Sequence, residues 1–320
     1  MTGPTRPPPL VRAIVERDRR ALARAISLIE NGAPQAAAIA RAIYPRTGRI
    51  PIVGLTGPLG VGKSSLINLL VNRLRDLDRT VAVIAVDPSS PFTGGSVLGD
   101  RIRFERPATD PGVFFRSMAS RGEAGGVAAA TREVARLMEA AGFDVVIVET
   151  VGSGQVDVAI RDIATTSVVV LVPHLGDEVQ TLKAGLFEIA DVFCVNKADL
   201  PGADLARRDL KELVGLGAGR AGWSASVVAT STQPAAGIEE LWNAVEAHEQ
   251  FLDRTGARAL EERRRLAVEI VERVREFVGR ALAARLERDP ELKRLLDRVV
   301  ARSIDPRSAA ERLGRQATRR

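Results

Sequence analysis

Gly57-Pro58-Leu59-Gly60-Val61-Gly62-Lys63-Ser64 is the stretch from which the fold of this chain is read. An apolar run, Ile50-Pro51-Ile52-Val53-Gly54-Leu55, precedes it, and a helical pattern, Ser65-Leu66-Ile67-Asn68-Leu69-Leu70-Val71, follows. A strand, a glycine-rich turn and a helix in this order form a phosphate cradle. The glycines let successive backbone N–H groups curl around phosphate oxygens without Cβ clashes. In such a cradle Lys63 reaches the outer phosphates, the Ser64 hydroxyl ligates Mg²⁺, and Ser65 continues the helix N-terminus. The spacing therefore predicts a nucleoside triphosphate site built from Gly57, Pro58, Leu59, Gly60, Val61, Gly62, Lys63, Ser64 and Ser65.

Outward from this loop, residues 50 to about 249 alternate strand and helix. Strands are expected over 50–56, 80–87, 143–149, 167–173, 191–196 and 224–230, each rich in valine and isoleucine. Little polar alternation within them predicts burial on both faces of a mostly parallel sheet. Helices are expected over 63–77, 124–141 and 237–250. The fold class is α/β: a three-layer P-loop domain whose ligands lie at the carboxyl ends of the strands. Residues 10–31 and 34–44 read as two helices preceding it. After Phe251 the strand pattern stops, and 255–287 and 290–302 read as long helices, with a shorter one from Pro306. The expected organisation is an N-terminal helical extension (1–48), a P-loop domain (49–253) and a C-terminal helical arm (254–320). Leu260, Val268, Ile270, Val271, Val274, Phe277 and Leu282 give the arm an apolar stripe suited to pairing with a second copy.

Composition narrows the classes. The 320 residues carry 46 basic and 40 acidic side chains, for a formal charge of +6. The surplus is arginine interleaved with glutamate, as in Glu261-Glu262-Arg263-Arg264-Arg265, a pattern of solvated helix faces. With aromatics at 4%, there is no base-stacking platform, and no nucleic-acid partner is expected. No apolar run approaches the about 18 residues of a membrane span, and a lone cysteine, Cys194, suits a reducing cytoplasm.

Three further segments carry chemistry. Asn196-Lys197-Ala198-Asp199 follows the strand Val192-Phe193-Cys194-Val195. The Asp199 carboxylate can accept from the guanine ring N–H and its exocyclic amine; adenine leaves it badly paired. Lys197 packs along the base, and Asn196 ties the turn back to the phosphate loop. Thr230-Ser231-Thr232 ends the next strand, where Ser231 and Thr232 can present a donor to the guanine carbonyl. The strand Phe143–Val148 runs into Glu149-Thr150-Val151-Gly152, placing Glu149 to meet Mg²⁺ and the Gly152 N–H to sense the γ-phosphate. Asp87 ends the strand before the loop 91–101, and Asp100 in that loop is a further carboxylate for the metal. No catalytic base is assigned.

Assembled, these segments resemble the MeaB/ArgK family of P-loop GTPases. The likeness spans Ala23–Glu30, Val86-Asp87-Pro88-Ser89-Ser90, Gly94–Arg101, Val148–Gly152 and Gly176–Gly185, besides the phosphate loop. The resemblance implies a GTP/GDP-binding, Mg²⁺-dependent hydrolase. It implies a chaperone of an adenosylcobalamin-dependent acyl-CoA mutase, chiefly methylmalonyl-CoA mutase, and a homodimer formed through the C-terminal arm. It also gives Lys183 a role in partner-stimulated hydrolysis. Val156 and Asp157 depart from the family's usual Ser/Thr and Glu, and His174 from its glycine. The competing readings are a nucleotide-dependent kinase or transport ATPase, and a metallochaperone GTPase. The second lacks support in a chain with one cysteine and two distant histidines, His174 and His248.

Overall fold

The computed structural model describes residues 9–87, 110–119, 124–150, 158–173, 188–215, 219–220 and 222–317. They divide into two compact units, residues 1–265 and 266–320.

The first unit opens with helices α1 (Pro9–Val15), α2 (Arg19–Glu30) and α3 (Pro34–Ile43). The helix expected over 10–31 is two helices. Arg17 takes a left-handed φ of 59°, and Asp18 caps α2 by accepting from the Ala21 N–H at 2.7 Å. The strands β1 (Ile52–Thr56), β2 (Val81–Asp87), β3 (Val113–Ala119), β4 (Val145–Thr150), β5 (Thr166–Leu171) and β6 (Val192–Val195) follow. Short pairs β7 (Gly219–Arg220) and β8 (Trp223–Ser224), then β9 (Ser226–Ala229), β10 (Ser231–Thr232) and β11 (Ala235–Ala236), complete the set. Between and after them run α4 (Lys63–Asp76), α5 (Ala124–Ala140), α6 (Ala203–Gly215), α7 (Ile238–Thr255) and α8 (Ala257–Arg288).

Seven strands form one sheet in the order β3-β2-β4-β1-β5-β6-β9, and every pairing in it is parallel. Six of them lie where valine and isoleucine runs predict strands; β3 is an addition. Alternation explains the layers. Ala82, Ile84, Val146, Val148, Val169, Leu171, Phe193 and Val195 face one apolar cluster with α1–α3 and α5. Val53, Leu55, Val81, Val83, Ile147, Val168, Val170 and Cys194 face the other, with α4 and α7. Both faces are therefore dry, as a parallel sheet requires. At Gly54 the backbone of β1 is approached so closely that a Cβ would collide with Ile160 and Ala164.

The N-terminal helices are tied to this core by polar contacts as well as apolar ones. The Arg17 Nε donates to the Ala141 carbonyl at 2.9 Å, and its guanidinium lies 5.0 Å from the centre of the Phe143 ring. Arg116 on β3 pairs with Glu30 of α2.

At the amino ends of the strands, Asp191 accepts from the Ser167 N–H at 2.8 Å. Thr166 Oγ1 lies 2.8 Å from His248 Nδ1 and donates to Glu249 at 2.6 Å, which anchors α7 under β5. His248 is thus a buried structural group.

In the second unit, the remainder of α8 is joined by α9 (Pro290–Val300) and α10 (Pro306–Ala317). Asp289 caps α9 by accepting from the Glu291 N–H at 2.9 Å, with Pro290 at the first helical position. Leu292 and Ala309 are buried, whereas Ile270, Val274, Phe277 and Val278 of α8 are exposed.

Asp144 joins the starts of β2 and β4 by accepting from the Thr80 N–H and hydroxyl at 2.8 and 2.7 Å. Burial favours its neutral form, but the Thr80 hydrogen bonds and the charges of Arg17 and Arg79 outweigh burial and hold its pKa below the ordinary value. A carboxylate whose folded pKa is depressed adds stability above its unfolded pKa, and that stability disappears as pH falls through the folded value. Asp144→Asn is therefore expected to melt a few degrees below the parent at pH 7. Calorimetric scans from pH 7 to pH 2 should show the gap closing in the acid range; a gap independent of pH would refute the charge contribution.

Candidate functional site

Because all seven strands run parallel, the loops after β1, β4, β6 and β9 share one edge of the sheet. The phosphate loop follows β1, near the middle of the order, and turns into the N-terminus of α4. Gly57 sits at φ 149° against the Val170 carbonyl of β5, and a Cβ there would strike that oxygen. Gly62 adopts φ 91°, and a Cβ on it would lie 2.6 Å from Asn196 Nδ2. Glycine is required at both positions, at the first by crowding and at the second also by its left-handed backbone.

Lys63 is the first residue of α4 and is buried at 7% exposure. Its ammonium donates to the Gly57 carbonyl at 2.7 Å and the Pro58 carbonyl at 3.0 Å, which arches the loop around it. Burial lowers the Lys63 pKa, and the nearby Glu149 carboxylate partly restores it. The Ser64 hydroxyl donates to Glu149 Oε1 at 2.8 Å. Glu149 is carried to that spot by the register of β1 with β4, which sets Leu55 opposite Glu149.

The second loop comes from β6. Asn196, fully buried, donates from Nδ2 to the Val61 carbonyl at 2.7 Å. Lys197, at a left-handed φ of 57°, reaches the Gly60 carbonyl with its ammonium at 2.9 Å. The turn is closed by its neighbour: the Ala198 N–H donates to the Thr230 carbonyl at 2.9 Å, and Ser231 Oγ donates to Asp199 Oδ1 at 2.7 Å. Thr232 pairs with Ala235 in the small β10–β11 ribbon beside it.

The structure thus brings together residues 57–65, Glu149, Asn196, Lys197, Asp199, Ser231 and Thr232 from the carboxyl ends of four strands, β1, β4, β6 and β9. Asp87 ends β2 at the same edge, its side chain lying outside the described residues. Asp100, Gly152, Lys183, Val156, Asp157 and His174 lie outside them too. Sequence reading names Val61 within the phosphate loop and ties Asn196 to that loop, but does not identify the Val61 carbonyl as the acceptor and gives the Thr230 side chain no role. A divalent cation fits the Ser64–Glu149 pair chemically, since both offer hard oxygens and Mg²⁺ takes its remaining ligands from phosphate and water. Among the described residues, no group of three or more His, Cys, Asp or Glu is placed to hold a metal ion.

A parallel α/β sheet with a phosphate loop after a central strand, and an Asn-Lys-x-Asp turn bonded to that loop, defines a P-loop GTPase. Residues 22–287 match the family model described as Methylmalonyl Co-A mutase-associated GTPase MeaB, and the chain belongs to this family. A chain of Pyrococcus abyssi named as a GTPase is 47% identical over 308 residues, covering 94% of both. The GTPase ArgK of Escherichia coli is 33% identical over 312 residues, covering 95% of this chain and 94% of its own. Among solved structures, one described as LAO/AO transport system kinase superposes with a TM-score of 0.71 at 28% identity, over 97% of this chain and 96% of that one.

The interlock of the two loops makes a sharp prediction. Gly62→Ala would drive a methyl group against the Asn196 amide and strain a left-handed backbone. GTP and GDP affinity, measured by titration calorimetry, is expected to fall at least about tenfold, equivalent to roughly 1.4 kcal/mol, while the circular dichroism spectrum keeps its parental form.

Proposed function

We propose that this GTPase serves an adenosylcobalamin-dependent acyl-CoA mutase, with methylmalonyl-CoA mutase the leading partner, coupling GTP binding and hydrolysis to delivery of intact cofactor. The match to a family described by its association with that mutase supports this reading. The nucleotide is guanine-based, read by Asp199 with Ser231 and Thr232, while Asn196 and Lys197 hold the turn on the phosphate loop. The observation that carries the site assignment is the double tie from Asn196 and Lys197 to the Val61 and Gly60 carbonyls, at 2.7 and 2.9 Å. It sets a base-reading turn at a fixed distance from a phosphate-binding turn.

Lys63 and the backbone N–H groups of the phosphate loop, Pro58 excepted, would neutralise charge on the outer phosphates, and Ser64 and Glu149 would hold Mg²⁺, with Asp87 and Asp100 as outer carboxylates. The metal supplies charge neutralisation across the phosphates when bound. Catalysis then rests on positioning and electrostatics, with Gly152 sensing the γ-phosphate and Lys183 relaying the partner's signal. The proposed organisation is an extension (1–48), a GTPase domain (49–253) and an arm (254–320) that pairs two copies. Support for pairing comes from Ile270, Val274, Phe277 and Val278, spaced along one stripe of α8, with Phe277 71% exposed. The lone cysteine suits a cytoplasmic setting.

Hydrolysis of GTP should accelerate when a purified cobalamin-dependent mutase is added; neither binding nor acceleration with methylmalonyl-CoA mutase or a related acyl-CoA mutase would remove the chaperone reading. Asp199→Asn tests base choice separately. An amide in place of the carboxylate loses the paired acceptor for guanine and gains a donor suited to a xanthine carbonyl. GTP affinity is expected to drop about a hundredfold and xanthosine triphosphate affinity to rise, which competition binding would read directly.

A further inference from the structure

We propose that the outer face of the N-terminal helices, centred on Arg20 and Arg24 of α2, is a docking surface for an acidic patch on a partner protein. This surface rests on the reading of the GTPase as one that serves another protein, and it names where that protein meets the chain.

Residues 9–49 hold eight arginines, no lysine and three acids, Glu16, Asp18 and Glu30. Two of the acids are already engaged, Asp18 as the cap of α2 and Glu30 with Arg116. Two of the arginines are engaged as well. Arg17 donates to the Ala141 carbonyl, and Arg19 to the Asp110 and Val113 carbonyls. The other six, Arg12, Arg20, Arg24, Arg41, Arg46 and Arg49, are all exposed. Among the described residues, none of the six makes a side-chain hydrogen bond or an ion pair. In α8, by contrast, Arg273 and Arg280 each take a glutamate one turn away.

Local electrostatics accounts for some of these charges and not for others. Arg12, Arg41 and Arg46 lie in the last turns of their helices, where the negative end of the helix dipole favours a cation. Arg20 lies in the first turn of α2, which carries no acid, at the end where the dipole disfavours positive charge. Arg24 follows one turn later, about 6 Å along the axis, so two like charges repel on one exposed face. Their helical angles are opposite the buried stripe of Ala21, Leu22, Ala25, Ile26 and Ile29. Cations set against the local field cost the helix stability, and negative charge from another molecule offsets that cost. The chemistry of the face selects the occupant. All six free cations are arginines, whose planar fork pairs bidentately with carboxylates. Tyr44 is the one exposed large apolar side chain among the described residues of this extension, and its ring lies 5.6 Å from the Arg136 guanidinium. A face without an apolar wedge is not built to enter a lipid interface. Tyr44 is also the sole aromatic in residues 9–49, too little to stack bases. A convex, arginine-rich helix surface instead matches the carboxylates of a broad protein surface.

Arg20→Glu with Arg24→Glu, in the full-length protein, reverses the centre of the face, and a glutamate in the first turn of α2 agrees with the helix dipole. Association with purified methylmalonyl-CoA mutase, followed by stopped flow, should slow at least about tenfold at about 50 mM salt and less than about threefold at about 300 mM. Basal GTP hydrolysis should stay within about twofold of the parent, since neither residue touches the nucleotide site. Arg294→Glu with Arg298→Glu makes the same charge change on exposed positions of α9 and should slow association less than about threefold. Parental association in the α2 variant, or equal slowing in the α9 variant, overturns the proposal. Should the α2 variant fail to fold, Arg20→Gln with Arg24→Gln takes its place; slowing of about threefold supports the surface and a parental rate overturns it. If the parent does not bind the mutase at all, the mutase reading fails by itself, and retention on immobilised poly-glutamate decides the surface. Elution of the α2 variant at lower salt than the α9 variant supports it, and equal elution overturns it. Phosphatidylglycerol vesicles and duplex DNA complete the set. Capture by either at a salt concentration where mutase and poly-glutamate are both released, if lost in the α2 variant, gives the face to a membrane or to nucleic acid and overturns the acidic-protein occupant.

Discussion

The Asn196 amide on the Val61 carbonyl at 2.7 Å, the buried one of two side-chain ties between the loops, holds the two halves of the site in register. It joins loops that leave strands β1 and β6, which are not neighbours in the sheet; β5 lies between them. Loops two strands apart have no ladder to fix their separation, so a side chain must do it. The donor is an amide on a left-handed turn, and the acceptor is a carbonyl in a glycine-rich arch that only glycines at Gly57 and Gly62 allow. A lysine on each loop then works the same arch. Lys63 draws in the Gly57 and Pro58 carbonyls, and Lys197 the Gly60 carbonyl. The arch is held by cations that use its carbonyl oxygens and leave its N–H groups for a ligand.

The parts of this site that were legible in the sequence are those in which one segment encodes one function. The phosphate loop combines its turn, cation and hydroxyl within eight residues, and Asn196–Asp199 carries within four its tie to that loop and the carboxylate proposed to read the base. What stayed hidden is relational. Val61 contributes only a carbonyl, which every residue has. Thr230 stood in a noticed run of hydroxyl residues, but the side-chain bond to Asn196 depends on how β9 pairs with β6, which sets Val195 opposite Ala229. The strand β3 was missed because Arg116 and Ser117 interrupt its apolar run. At the end of the sheet order it pairs, among the described residues, only with β2, and Arg116 turns to Glu30 of α2 instead of to a core. A two-sided apolar pattern is a property of inner strands, and an edge strand covered by a charged helix need not show it. The break near Arg17 was likewise invisible to periodicity, since apolar spacing on both sides of it remained helical.

The basic surplus of the sequence finds a local explanation in the C-terminal unit. Arg273 pairs with Glu269, Arg280 with Glu276, Arg285 with Asp289 and Arg307 with Glu311, each one helical turn apart. Such pairs add a few tenths of a kcal/mol each to a solvated helix and are screened by salt. Their arginines are thereby engaged on the helix surface instead of forming one continuous cationic field. The apolar residues between them have the opposite character. Ile270, Val274 and Phe277 recur at spacings of four and three, so they share one stripe, and their exposure is costly in a way that the flanking ion pairs do not offset.

Charge balance at Lys63 favours a polyanionic ligand over a neutral one. Burying an ammonium to 7% exposure is unfavourable, and burial accordingly lowers its pKa. Two carbonyl dipoles and the Glu149 carboxylate compensate in part. Glu149, however, is also engaged by Ser64, and a cation on that pair would draw on the same carboxylate charge. The ammonium would then need anionic oxygen from elsewhere. The N-terminus of α4 adds positive dipole at the same point. Lysine and helix end thus converge on one requirement, a ligand with several negative charges distributed over a few ångströms, and a polyphosphate chain held against the arch meets it.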